Sequence, residues 1–188
     1  EARHKKVVSK CNPQPKRILV LGLGGGAHAK YLYRKFPAAQ ITVVEINADV
    51  IALRDMFMIP SDDERFKIVH ANATQYIGNA TKGVDIILVD AFKPGTIGEE
   101  LEREFYKNCN RLLNSNGVIA INFSGGDITA TTNSTKYVQD ATPEMVWWQD
   151  LYNSYNRILF WIKDEANMIV PDLQIKNLMI EAEALKLE

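Results

Sequence analysis

Apolar runs alternate with amphipathic stretches along most of this chain. The first run, Ile18-Leu19-Val20-Leu21, predicts a strand over Arg17 to Leu21. A helix follows from about Ala27 to Phe36, with Tyr31, Leu32 and Phe36 facing inward, and Pro37 stops it. A second strand, Ile41 to Glu45, leads to Asn47, a predicted N-cap for a helix over Ala48 to Met58 that spaces Val50, Leu53 and Phe57 on one face. Strand three is Phe66 to His70, followed by Asn72-Ala73-Thr74 and a short helix through Tyr76 and Ile77. Strand four, Val84 to Val89, is unbroken β-branched and leucine sequence ending in Asp90, the pattern of a strand covered on both faces. A helix then sets Leu101, Phe105, Cys109 and Leu112 on one stripe and closes at Asn116-Gly117, before strand five, Val118 to Phe123.

Beyond that point the pattern weakens. Residues 124–142 are rich in glycine and hydroxyl side chains and read as a long loop or lid. Pro143 opens a predicted helix carrying Met145, Trp148, Leu151 and Tyr155. Ile158 to Ile162 and Met168 to Val170 are expected strands, and Asp172 to Glu188 an amphipathic helix. Lys163 to Asn167 is too short for a crossover helix, so those last two strands are expected to pair as an antiparallel hairpin.

Alternating strands and helices imply an α/β doubly wound sheet. Gly22-x-Gly24-x-x-Ala27 satisfies the dinucleotide fingerprint and brings an NAD dehydrogenase into view. The terminal hairpin points elsewhere. Parallel strands closed by such a hairpin form the Rossmann-like sheet of class I S-adenosylmethionine-dependent methyltransferase domains, which is the expected fold. The domain organisation is then an extended, basic lead-in over 1–16, a nucleotide-binding catalytic domain over 17–171, and a C-terminal helix over 172–188.

Composition narrows the function classes. A length of 188 residues fits one domain with a substantial core, and 46% apolar residues argue against disorder. A net charge of −1 gives no non-specific hold on nucleic acid or anionic lipid. No apolar run is long enough to span a bilayer, and the first ten residues lack a signal-peptide core. Cys11 and Cys109 carry no metal-ligand spacing, so a reduced, cytoplasmic protein without a metal is expected. The Asn-x-Ser/Thr triplets at Asn72, Asn79, Asn122 and Asn133 are read as chance.

The candidate chemistry sits at the strand ends. Gly22, Gly24, Gly25 and Gly26 let backbone N–H groups approach a ligand at the amino terminus of a helix. Glu45, ending strand two, is placed to accept hydrogen bonds from both hydroxyls of a ribose.

In order, Leu21-Gly22-Leu23-Gly24-Gly25-Gly26, Val43-Val44-Glu45-Ile46-Asn47, Ile87-Leu88-Val89-Asp90 with Pro94, Glu104-Phe105-Tyr106 and Asn116-Gly117-Val118 resemble the spermidine synthase family of aminopropyltransferases over residues 16–171. The resemblance implies a co-substrate, S-adenosylmethionine or its decarboxylated form. Its methionine part would lie along Gly22 to Gly26 and its ribose on Glu45. Asn72 would read the adenine amino group through its amide oxygen, with Ile46 and Ala73 as flanking contacts. Asp90 matches the catalytic aspartate that takes a proton from the attacking amine and also borders the co-substrate. A small-molecule acceptor is implied as partner, without nucleic acid or membrane, and a homodimer is left open.

The departures are as informative. Where the family reads Gly-Gly-Gly-Asp-Gly, this chain has Ala27 and His28 in the last two places. Where it reads Ser-Ser-Asp-Pro after the aspartate, Ala91, Phe92, Lys93 and Pro94 stand here. Two carboxylates that would hold cationic amines are absent, so plain putrescine is not the expected acceptor. The family's N-terminal β-rich domain is not matched by the sixteen residues before strand one. Aminopropyl transfer leads, small-molecule methyl transfer is the alternative, and a non-catalytic nucleotide-binding domain is a third reading. Each residue also has a plainer reading. Asp90 can be a loop cap, Asn72 a helix cap and His28 an exposed helix start, and Trp147, Trp148 and Trp161 can be core or interface.

Overall fold

The computed structural model describes residues 11–91, 96–124, 128–143, 146–150, 156–164 and 176–177. The first four strands lie where the apolar runs place them: β1 (Arg17–Leu21), β2 (Gln40–Glu45), β3 (Phe66–His70) and β4 (Val84–Val89). Three helices interleave with them, α1 (Ala27–Lys35), α2 (Ala48–Ala52) and α3 (Ala73–Asn79). Then come α4 (Glu99–Leu112), β5 (Leu113–Ser124), α5 (Ile128–Ala141), β6 (Trp147–Asp150), β7 (Asn156–Ile162) and the short β8 (Lys176–Asn177).

The strands form one sheet in the order β3-β2-β1-β4-β5-β7-β6-β8. The β1–β2, β1–β4, β2–β3 and β4–β5 pairs are parallel. β7 runs antiparallel to both β5 and β6, which gives the expected doubly wound sheet with an antiparallel C-terminal hairpin.

Period-two alternation splits the core into two layers. Ile18, Val20, Ile41, Val43, Ile86 and Leu88 pack with Leu32 of α1 and its C-cap Phe36 on one face. Leu19, Leu21, Val44, Ile87 and Val89 pack with Phe105, Cys109 and Leu112 of α4 on the other. β4 is therefore buried on both faces, as its unbroken apolar sequence requires. All three tryptophans are core. Trp147 stacks on Phe160 at 5.7 Å, and the fully buried Trp161 donates Nε1–H to Asn110 Oδ1 at 3.0 Å.

Several expectations are corrected. The predicted helix over Ala48 to Met58 keeps its cap, with Asn47 Oδ1 accepting from Asp49 N–H, but the α-helix ends at Ala52. Leu53 and Phe57, expected inside, are 41% and 38% exposed. In α4 the stripe turns by one position: Leu101 is 47% exposed, whereas Glu102 and Tyr106 are buried with Phe105, Cys109 and Leu112. The buried Glu102 carboxylate accepts a hydrogen bond from Tyr106 OH at 2.7 Å. That helix stops at Leu112, because Leu113 already pairs with Val84; Asn116, at φ 60°, belongs to the irregular start of β5.

Within residues 124–142, expected to be a long loop or lid, the described part is mostly helix. α5 fills most of that stretch, despite a threonine-rich sequence of low helix propensity. Packing on α4 overrides the propensity: Val138 is fully buried, and Arg103 lies 4.1 Å over the Tyr137 ring and pairs with Asp140 at 2.5 Å. The helix expected after Pro143 is a strand where it is described. Trp147 and Trp148 enter opposite core layers, and their pairing with Phe160 and Leu159 outweighs the accidental helical spacing of Trp148 with its neighbours. β7 finds its hairpin partner in β6; Met168 to Val170 lie outside the described residues. Of the tail read as a helix, only Lys176 and Asn177 are described, and they pair antiparallel beside β6 as the two-residue β8.

Candidate co-substrate site

The carboxyl ends of β1, β2 and β4 meet at Gly22. Its N–H donates to Val44 O, and Asp90 N–H donates to Leu21 O, both at 2.8 Å. At φ 98°, Gly22 adopts a conformation that side chains disfavour, and a Cβ there would sit 2.3 Å from the Asp90 carbonyl oxygen. The two strand ends can approach this closely only with glycine between them. Gly24, at φ 48°, has open space where a Cβ would be.

A cavity of about 160 Å³ opens beside this junction, lined by Gly22, Glu45, Ile46, Asn72, Ala73 and Asp90 among others. These six include every candidate residue outside Gly24, Gly25 and Gly26, which lie on the loop leading into α1 rather than in the lining. Ile46 is 60% exposed, an apolar surface available to a flat ring. A larger groove of about 720 Å³ borders Arg17, Thr42 and Lys67 toward the amino-terminal ends of the strands. Open α/β sheets bind ligands at the opposite, carboxyl ends, and the candidate chemistry lies there.

Glu45 is held by backbone alone. Oε2 accepts from Leu23 N–H at 2.9 Å and Oε1 from Asn47 N–H at 2.8 Å. One carboxylate thereby ties the glycine loop to the start of α2. Asn72 caps α3, its Oδ1 accepting from Thr74 N–H and Gln75 N–H at 2.9 and 3.2 Å.

Asp90 is held by side chains. Asn122 Nδ2 donates to Oδ1 at 2.9 Å, and His28 Nε2 lies 3.6 Å from Oδ2. The Asp90 side chain remains 41% exposed, while that of His28 is only 12% exposed. His28 is therefore no exposed helix start. Asn122 was absent from the sequence-based site; its one available signal was a polar residue inside the apolar run of strand five. Phe92, Lys93, Pro94 and Gly95 lie outside the described residues. Among the described residues, no group of three or more His, Cys, Asp or Glu side chains converges as a metal site, and no helix is long and apolar enough to cross a membrane.

A nucleoside-bearing sulfonium fits this arrangement: an acid at the tip of β2 for hydroxyls, an exposed apolar residue after it, and a second acid across the glycine junction. The fold is that of class I S-adenosylmethionine-dependent methyltransferase-like domains. Human methyltransferase-like protein 13 in complex with SAH superposes with a TM-score of 0.73 at 23% identity, over 98% of this chain and 90% of that one. A spermidine synthase in complex with the transition-state analogue AdoDATO gives 0.70 at 22% identity, over 84% and 58%. Residues 5–149 match the spermine/spermidine synthase domain, and the chain belongs to that family. The polyamine aminopropyltransferase of Neisseria meningitidis is 36% identical over 115 residues, 60% of this chain and 44% of that protein. The chain thus spans less than half the length of that curated relative.

Proposed function

We propose that this protein transfers a group from S-adenosylmethionine or its decarboxylated form to an acceptor amine, with Asp90 as the base. When bound, such a co-substrate supplies a carbon made electrophilic by the adjacent sulfonium. Glu45 takes the ribose hydroxyls on the lone pairs its backbone contacts leave free. Ile46 and Ala73 border the adenine. Because the cap engages both lone pairs of Asn72 Oδ1, this side chain can offer the base its Nδ2–H donor rather than the carbonyl acceptor expected from the sequence. Asp90 takes a proton from the acceptor nitrogen and frees the lone pair that attacks that carbon; as the N–C bond forms, the C–S bond breaks and its electron pair leaves with sulfur as an uncharged thioether.

The observation that carries this reading is the placement of Asp90: on the cavity, across the Gly22 junction from Glu45, and fixed by Asn122. Family membership makes aminopropyl transfer the first form of the reaction. The acceptor is not plain putrescine, because Glu45 and Asp90 are the only acids in the described lining and a second ammonium would lack a partner. Incubation with decarboxylated S-adenosylmethionine and a panel of monoamines, with mass spectrometry of the acceptor, tests this. An aminopropyl adduct that disappears with Asp90→Asn is the expected result.

Methyl transfer is the second reading, and His28 beside Asp90 favours it. With Ala27 replacing an acid and an imidazole beside the remaining one, the site is less anionic than the family pattern, which suits the less cationic, carboxyl-bearing co-substrate. Calorimetry with the two co-substrates separates the forms; tighter binding of S-adenosylmethionine itself would sink the aminopropyl form.

A further inference from the structure

The glycine turn has an open side and a filled one. Gly26 N–H donates to Leu23 O at 2.9 Å and closes the turn, while Glu45 Oε2 accepts from Leu23 N–H at its entry. A Cβ on Gly24 would meet no described atom within 4 Å, so that side is open. On the other side, a Cβ on Gly25 would touch the Phe57 ring at 3.9 Å. One on Gly26 would overlap Ile59, at 2.3 Å from Cγ1 and 2.5 Å from Cδ1. The buried Ile59 side chain thus takes up the space that any side chain at position 26 would need.

A closed turn after α2 delivers Ile59 to that place. Met58 N–H donates to Asp55 O at 3.0 Å and Ile59 N–H to Arg54 O at 2.9 Å, the two bonds of a Schellman motif. Met58, at φ 53°, takes the left-handed position that glycine usually fills. Arg54 donates to Pro60 O and, at 2.8 Å, to Asp62 Oδ1, which fastens the segment beyond Ile59. Lys30 Nζ of α1 donates to Phe57 O at 2.7 Å and straps the segment to the helix that the glycine turn opens.

We propose that Ile59, with Phe57 beside it, is a positioning residue for the co-substrate: it backs the glycine turn and sets how far the open Gly24 side reaches toward the aliphatic chain of an S-adenosyl ligand. The inference rests on the reading of this site as one for such a co-substrate. Glu45 secures the entry of the turn, but Gly24, Gly25 and Gly26 have no side chains with which to hold the rest of it in one conformation. A wall behind the turn removes that freedom before a ligand arrives, and a loop already ordered in its binding conformation binds more tightly. Ile59 stands on the far side of the turn from the opening and acts through it.

The test compares ligands with and without the chain that the turn would hold. Calorimetry of the full chain uses 5′-methylthioadenosine, a thioether nucleoside that lacks this chain, beside whichever of S-adenosylmethionine and its decarboxylated form binds tighter. Ile59→Ala should weaken the chain-bearing ligand roughly tenfold and leave 5′-methylthioadenosine within about twofold. Ile59→Val, the milder change should alanine prevent folding, removes one methyl group and should weaken the chain-bearing ligand alone, by roughly two- to threefold. Gly26→Ala should weaken that ligand by pressing on Ile59, and adding Ile59→Ala should restore part of the loss, because the two changes share one space. A merely structural role would weaken both ligands alike, in step with thermal stability, and would give no restoration. Unchanged affinity in both Ile59 variants, equal losses for the two ligands, or additive losses in the double variant overturns the proposal. A wild-type chain that binds neither kind of ligand overturns the S-adenosyl reading itself and this role with it, a separate outcome.

Discussion

Glu45 and Asp90 occupy equivalent places, each at the carboxyl end of a parallel strand flanking β1, yet they are secured differently. Glu45 is held by two backbone N–H groups, from Leu23 and Asn47. Any sequence that makes this strand–loop–helix path supplies those donors. Asp90 is met by the side chains of Asn122 and His28, which come from distant parts of the chain and exist only because those residues were chosen. A backbone-held acid suits the invariant part of a ligand, and a side-chain-held acid suits the part that differs between enzymes. On the function proposed above, the nucleoside end of this site would be generic and the reacting end particular to this protein.

The sharpest way to test that contrast is Asp90→Asn. It preserves size and removes the proposed base, so transfer should fall about a hundred- to ten-thousandfold while co-substrate affinity, measured by calorimetry, changes little. Equal losses in turnover and affinity would erase the distinction between the two acids. Gly22→Ala strikes the junction between them. Its Cβ would meet the Asp90 carbonyl oxygen at 2.3 Å in a left-handed conformation, so unfolding by urea should show a loss of about 3 kcal/mol or more.

Glu45→Gln should show the opposite pattern from Asp90→Asn. It presents an NH₂ to one of the two backbone N–H groups, and affinity for the S-adenosyl co-substrate should weaken by roughly 1.5–3 kcal/mol, about ten- to a hundredfold, with kcat at saturation nearly kept.

The smallest effect is expected at Asp85, near the opposite end of the strand that delivers Asp90. Partial burial pushes its carboxyl upward, but hydrogen bonds from Asn114 Nδ2 and the N–H groups of Arg17 and Lys16 outweigh this and hold it below the usual value of 3.8. A folded-state value below the unfolded one stabilises the protein above about pH 4, and that contribution is lost as pH falls through the lowered value. Thermal melts of Asp85→Asn should therefore show a flatter acid limb, by less than about 1 kcal/mol since the group is only partly buried and its burial opposes the shift. Turnover should be unchanged.

Legibility followed the same division. β1 and β4 could be placed to the residue, because a strand buried on both faces needs an unbroken apolar run and little else in the chain has one; the edge strand β3, only partly buried, also has its expected bounds. Glycine loop, Glu45 and Asp90 were likewise visible, since strand ends in a doubly wound sheet expose whatever follows the last apolar residue. Misreadings concentrate where two periods compete or tertiary contacts override local preference. Trp148 fits a helical stripe and a strand equally well until β7 is beside it. The threonines of α5 say loop until α4 supplies a surface to pack on. Asn122 looked like a stray polar residue because its partner lies on another strand.

The amino-acid sequence by itself determined the parallel half of the sheet, the glycine junction and the two acids at the strand tips. These depend on local periodicity and on the one residue type that tolerates a close approach with positive φ. Only the tertiary structure decided what surrounds Asp90. His28 lies at the start of the first helix, Asn122 in the fifth strand and Asp90 between them in sequence. No local rule links such residues; the wrapping of parallel strands brings them to one point, where an exposed carboxylate gathers the donors within reach.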